Sequence, residues 1–171
     1  SIEYTEDDNR NLAYNAAMAL AHFGDSEAIS KYILSVQDDR EYSARIINEL
    51  IGNFKGDRTE LATLIFENDK CSEYLKRTVI KAIAEYKLEA FRPMYIDGAI
   101  NGKEEMKVAC VKALACFGNP EDEHILQVSA QSSNWVIRAS AIRGLALIDN
   151  KTALATVKNA LSDKEWWVRN R

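Results

Sequence analysis

Only two prolines and seven glycines interrupt 171 residues, too few breakers for an architecture rich in strands and tight turns, while Ala, Leu, Ile, Glu and Lys abound. The chain therefore reads as all-α. Cysteine is scarce and unpaired in pattern: Cys71, Cys110 and Cys116 are an odd set with no Cys-x-x-Cys spacing, which argues against a disulfide framework or a zinc knuckle. Reduced, buried thiols in a cytoplasmic protein are expected instead. No excess of positive charge exists. Lys and Arg total 22 against 26 Asp and Glu, for a net charge of −4 and a pI near 5.3, so a protein devoted to neutralising phosphates is disfavoured and nucleic acid is not an expected partner. No stretch approaches the roughly 18 consecutive apolar residues of a membrane span, and the first ten residues are acidic rather than signal-like. No membrane contact is expected of this segment.

What is present is a period. Arg45, Lys76, Lys107, Arg138 and Arg169 recur every 31 residues, and nearly the same interval links Phe23, Phe54, Tyr86, Phe117 and Ile148. A period in the range of roughly 20–50 residues marks stacked repeats and takes precedence over local propensity. Three, four, seven and ten places after the basic residue stand apolar or small residues: Cys110, Val111, Leu114 and Phe117 in one copy, Ala141, Ile142, Leu145 and Ile148 in the next, and Val79, Ile80, Ile83 and Tyr86 in the third. That spacing is one face of an amphipathic helix. The first copy matches with Ala16, Ala17, Leu20 and Phe23 counted from Ala13. In the second, Ile46, Ile47, Leu50, Ile51 and Phe54 run about one residue early.

Each helix runs into a short stop: Phe23-Gly24-Asp25, Phe54-Lys55-Gly56-Asp57, Tyr86-Lys87, Phe117-Gly118-Asn119-Pro120 and Ile148-Asp149-Asn150. Gly or Asn there can take the left-handed conformation that closes a helix. A second helix follows in every copy, carried by Ile29, Tyr32 and Ile33, by Leu61, Leu64 and Ile65, by Phe91 and Met94, by Ile125 and Val128, and by Leu154, Val157 and Leu161. Ser26, Thr59 and Thr152 are candidate caps or first-turn residues. So short a helix pair cannot bury its stripe alone, and stacking against the next pair supplies the core.

The period and these stripes resemble HEAT repeats of the short bacterial type related to phycobilisome-lyase-like repeats, most closely in the run from Trp135 through Leu145 and at Trp166, Trp167, Val168 and Arg169. The 34-residue tetratricopeptide period and the Thr-Pro-Leu-His of ankyrins are missing. The resemblance implies a right-handed α-α superhelix, an armadillo-like solenoid of stacked antiparallel helix pairs, with residues 1–171 forming a single domain of about five pairs plus an incomplete sixth. The pattern stops inside a repeat at 165–171, so we expect this to be a fragment of a longer chain. The resemblance also implies a ladder between an Asp at the end of one unit and the basic residue early in the next helix. Asp39 with Arg45, Asp69 with Lys76 and Asp163 with Arg169 match that arrangement, whereas Gly102 and Ser133 stand where two further acids would be.

Chemistry-bearing residues have structural explanations. His22 lies near a helix end as a packing or capping residue. His124 follows Glu121, Asp122 and Glu123, which suit a solvated acidic first turn favoured by the helix dipole. Cys110 and Cys116 share a helix but are separated by about 600° of rotation, and no His lies on that helix to activate either. Trp135 and Trp166 occupy equivalent positions and pack between units; Trp166 and Trp167 are expected to be partly exposed. No cofactor, metal or catalytic set is expected.

In HEAT-like stacks the second helices line the concave surface, which by resemblance would place Lys31, Ser35, Thr63, Glu67, Arg92, Gln127, Gln131, Thr156 and Lys158 on a partner-binding face. Acids outnumber bases on these helices, so a polar or basic protein segment suits the face better than a phosphate backbone. The expected function is a non-enzymatic scaffold or adaptor that binds a protein partner of open identity. Two alternatives stand beside it. One is an enzyme-associated HEAT-like protein of pigment-lyase or DNA alkylation-repair kind; the hydroxylases built on related repeats need His-Glu pairs, which this chain lacks. The other is the soluble adaptor region of a larger membrane-associated polypeptide.

Overall fold

The computed structural model describes residues 6–148 and 150–170, excluding the side chains of Glu6 and Asp7. Asp149, assigned to the last turn above, lies outside them. The described residues form α-helices, short 3-10 turns and connections, with no strand. The chain divides into two compact units, Ser1–Ala82 and Ile83–Arg171.

The first unit contains α1 (Glu6–Phe23), α2 (Ser26–Val36), α3 (Arg40–Asn53), α4 (Arg58–Phe66) and nearly all of α5 (Glu73–Ile83). α1 packs on α2 and α3, and α2 on α3 and α4. Ile29, Ile33, Ile46, Ile47, Leu50, Ile51, Phe54, Leu61 and Ile65 are buried in full, each contributing on the order of 1.5–3 kcal/mol by leaving water. The α1–α2 and α3–α4 turns meet backbone to backbone. The Lys55 amide donates to the Ala21 carbonyl at 2.9 Å, and a Cβ on Gly56 would come 2.7 Å from the Gly24 carbonyl oxygen. Gly24 takes the left-handed conformation at φ 76°, whereas Gly56 does not; its role is close approach rather than helix closure.

In the second unit α6 (Arg92–Asn101), α7 (Glu104–Phe117), α8 (Glu123–Ser129), α9 (Trp135–Ala146), α10 (Lys151–Asn159) and α11 (Trp166–Arg169) follow one another. α7 packs on α6 and α9, while α8, α10 and α11 pack on α9. Two close approaches set these distances. A Cβ on Gly144 would lie 2.7 Å from the Ala115 Cα, and one on Gly98 would lie 2.4 Å from the Cys110 sulfur. Helix closure is left-handed at Gly118 (φ 61°) and, without a glycine, at Lys87 (φ 52°).

The expected stripes of the first helices hold for the second to fifth copies, with Tyr86 half-exposed and Phe117 partly so. In α1 only Ala17 of the expected stripe is buried: Ala16 is exposed, Leu20 and Phe23 are 37% and 83% exposed, and Ala21 is buried instead. The shift places Ala21, whose carbonyl accepts the Lys55 amide, in the core at the turn–turn contact. In the second helices Ile29, Ile33, Leu61, Ile65 and Phe91 are buried as expected, while the rotation is corrected in α8 and α10: Val128, Leu154 and Leu161 are exposed and Leu126 and Ala153 are buried. A 3-10 turn precedes α8, and its advance of three residues per turn shifts the stripe out of phase with an uninterrupted helix; Leu161 lies in the 3-10 turn that follows α10.

The caps of α2, α3, α4, α9 and α10 are Asp and Asn residues. Asp25, Asp39, Asp57, Asn134 and Asn150 each accept an amide of the following first turn. Ser26, Thr59 and Thr152 are first-turn residues behind those caps.

Candidate partner-binding surface

Successive pairs are joined by polar contacts between side chains 25–35 residues apart, most of them at helix N-termini. Among first helices, Arg10 donates to Asp39 at 3.0 Å, the Tyr74 hydroxyl to the Arg40 carbonyl at 2.6 Å, Asn134 to Glu104 at 2.5 Å, and Arg138 to both carboxylate oxygens of Asp163 at 2.8 and 2.9 Å. Among second helices, Ser26 donates to Glu60 at 2.7 Å, Arg92 to Asp122 at 2.7 Å, Asn150 to Glu123 at 2.5 Å, and Thr156 to Gln127. A cap that also grips the neighbouring pair fixes the axial offset of two helices with one side chain.

The implied ladder is thus present with its direction reversed. Asp39 pairs with Arg10 and not with Arg45, which is exposed. The Asp163 carboxylate pairs with Arg138, and Arg169 instead donates to the Asp163 backbone carbonyl at 2.6 Å. Asp69 is exposed, and Ser72 caps the start of α5 by accepting the Leu75 amide. Ser133, at a position without an acid, offers its carbonyl to Arg138 at 3.0 Å. Hydrogen bonding from Arg138 holds the Asp163 carboxyl below the usual carboxylate range. The Tyr42 amide does the same for Asp39, helped by Arg10.

The nine residues assigned to the partner face occupy the second helices or their ends, in different states. Lys31 is exposed and ion-paired with Glu27 at 2.6 Å; Ser35 is exposed and donates to the Tyr32 carbonyl. Thr63 is half-buried, while Glu67, Gln131 and Lys158 are exposed. Arg92 is committed inward, bridging fully buried Asp122 and, at 3.1 Å, Glu121. Gln127 and Thr156 are occupied with each other. Arg58 is also consumed, donating to the Ile51 and Gly52 carbonyls at the end of α3. Internal pairing thus removes bases and acids alike from the exposed face, Arg58 and Arg92 on one side and Asp122 on the other.

Recesses open along these helices in both units. In the first unit a groove of about 570 Å³ runs between α2 and α4, with Glu27, Lys31, Leu34, Glu60 and Leu64 on its walls. In the second, a hollow of about 170 Å³ is lined by Gln131, Thr156, Asn159 and Asp163.

The run Glu121, Asp122, Glu123 is not the solvated turn expected of it. All three carboxylates are engaged, by Arg92 or by Asn150. His124 and His22 are exposed. Among the described residues no group of three His, Cys, Asp or Glu side chains is placed to hold a metal ion. Cys110 and Cys116 are buried as expected, whereas Cys71 is half-buried, against the expectation. Burial pushes the Cys116 thiol up, and its sulfur accepts from Arg143 at 3.3 Å. Trp135, Trp166 and Trp167 form one partly exposed cluster: Trp167 stacks on Trp135 at 6.2 Å and meets Trp166 edge-on at 4.5 Å. No helix among the described residues is long and apolar enough to cross a membrane.

A comparison with curated proteins finds no match. Residues 123–171 match the family described as HEAT repeats. That segment, α8 to α11, is similar to HEAT repeats at the level of sequence, and the all-α helix-pair arrangement that accompanies it continues through α1 to α7.

Proposed function

We propose that this chain is a non-enzymatic interaction module of cytoplasmic type that docks a protein partner on its second helices. The observation that carries the reading is the groove between α2 and α4, about 570 Å³ in volume and open to solvent. Its walls are held from behind by the Ser26–Glu60 bond and by the buried Ile29, Ile33, Leu61 and Ile65. A rigid lining keeps the entropy lost on association small, and HEAT repeats, which residues 123–171 resemble, commonly serve protein–protein interaction. Along the groove Asp25, Glu27 and Glu60 outnumber Lys31, so the face favours a polar or basic segment over an acidic one.

Site-specific photocrosslinking in the intact protein tests this. A crosslinker at Lys31, Leu34 or Leu64 on the groove is expected to capture the partner, and one at Asn48 or Lys81 on the first helices is not. Equal capture from both sets removes the assignment.

A further inference from the structure

We propose that a second cleft, in the first unit and distinct from the α2–α4 groove, anchors a short partner segment in which one large apolar side chain is flanked by lysine or arginine. The cleft measures about 430 Å³ and is lined by residues of α1, of the end of α2 and of the start of α3. Ala13, Val36 and the rings of Tyr32 and Tyr42 give it an apolar lining, with Arg10, Asp38 and Asp39 beside them. That volume lies in the range of about 300–1,000 Å³ typical of ligand pockets.

The walls are braced before any ligand arrives. The Tyr32 and Tyr42 hydroxyls are 2.9 Å apart. The Arg10 guanidinium lies 4.9 Å over the Tyr42 ring and is tied to Asp39 at 3.0 Å. Tyrosine and arginine in such settings supply broad rigid contact with a polar tip, the combination enriched among the residues that dominate interface energy.

Polarity and charge select the occupant. One hydrogen bond joins the two hydroxyls, so only one of their two protons lies between them, and the other can donate to a partner's backbone carbonyl. Arg10 and Asp39 neutralise each other, which leaves exposed Asp38 as the uncompensated charge of the lining. A cationic side chain beside the apolar anchor meets that carboxylate, and an acidic one is repelled.

The test is selection of a displayed library of random heptapeptides on the immobilised full chain. Enriched sequences are expected to place Leu, Ile, Phe or Trp within two residues of Lys or Arg. A synthetic copy of the leading sequence is expected to bind Asp38→Lys at least ten-fold more weakly, and Val36→Glu more weakly still. Asp38 is exposed, so its variant keeps the test valid if Val36→Glu does not fold. Lys31→Glu and Glu67→Lys on the second helices are expected to leave this peptide's affinity unchanged, which separates the cleft from the face proposed above. Absence of enrichment, enrichment of acidic sequences, or equal affinity for wild type and Asp38→Lys overturns the assignment.

Discussion

Arg138 reaches back to the carbonyls of Ser132 and Ser133 and forward, with two parallel hydrogen bonds, to the carboxylate of Asp163, 25 residues later. Its side chain is nearly buried, 8% exposed against 14% for Asp163, so one guanidinium closes the loop before α9 and fastens the start of the next helix to it. A looser counterpart stands in the first unit, where exposed Arg10 donates one hydrogen bond to the α3 cap Asp39.

Asp163→Asn is expected to destabilise the chain by about 2–3 kcal/mol, because charge-assisted hydrogen bonds are lost and a poorly solvated guanidinium keeps a weaker partner. Arg169→Ala, at an exposed position, is expected to cost less than about 1 kcal/mol. Urea unfolding of Arg169→Ala beside Arg138→Ala, which is expected to cost at least as much as Asp163→Asn, distinguishes this direction of pairing from the reverse one, in which Arg169→Ala would be the costlier of the two.

Arg92 is a structural residue before it is a surface one. Asp122 is fully buried beneath it, so Arg92→Ala strands a carboxylate and is expected to cost about 3–5 kcal/mol. Lys158→Ala, an exposed residue on α10, is expected to stay within about 0.5 kcal/mol of wild type. Thermal unfolding of the pair tells the two roles apart.

Acid is expected to weaken the contacts of Asp39 and Asp163 together. Both carboxyls are held below their ordinary value in the fold, so the stability they contribute is present above the unfolded aspartate pKa of about 3.9. It is lost as pH falls through their depressed folded values. Unfolding midpoints measured from about pH 5 down to pH 2 are expected to fall less steeply for Asp163→Asn than for wild type; an unchanged slope contradicts the linkage.

Two glycine substitutions are expected to have opposite signs. Gly52 lies within α3 with no atom within 4 Å of an added Cβ, so Gly52→Ala is expected to stabilise by about 0.5–1 kcal/mol through helix propensity. Gly144→Ala pushes a methyl against the Ala115 backbone at 2.7 Å and is expected to destabilise by about 1–3 kcal/mol. Differential scanning calorimetry resolves both shifts.

Helix existence was legible because it rests on spacing within one helix. Cys110, Val111 and Leu114, and Ala141, Ile142 and Leu145, are buried where the period placed them. Rotation was legible in α2 and α4, where Ile29, Ile33, Leu61 and Ile65 are buried as placed, but not in α8 and α10. Leu154 on α10 and Leu161 in the 3-10 turn after it are exposed while Ala153 is buried, a choice that apolar spacing in so short a helix does not make. For the assigned surface, location on the second helices followed from the alternation of helices, while the state of each side chain did not. The commitment of Arg92 to Asp122 spans 30 residues and leaves no local signal.

The sequence by itself determined the all-α class, the order of the helices and most of the first-helix core, since i, i+3, i+4 and i+7 relations are properties of a single helix. Only the tertiary structure decided which caps reach the neighbouring pair, which arginines are spent internally and where clefts open. Those outcomes depend on axial offsets and rotations between helices, set by close contacts such as Gly144 on Ala115 and the Lys55 amide on Ala21, and side chains 25 or more residues apart meet only once those offsets exist.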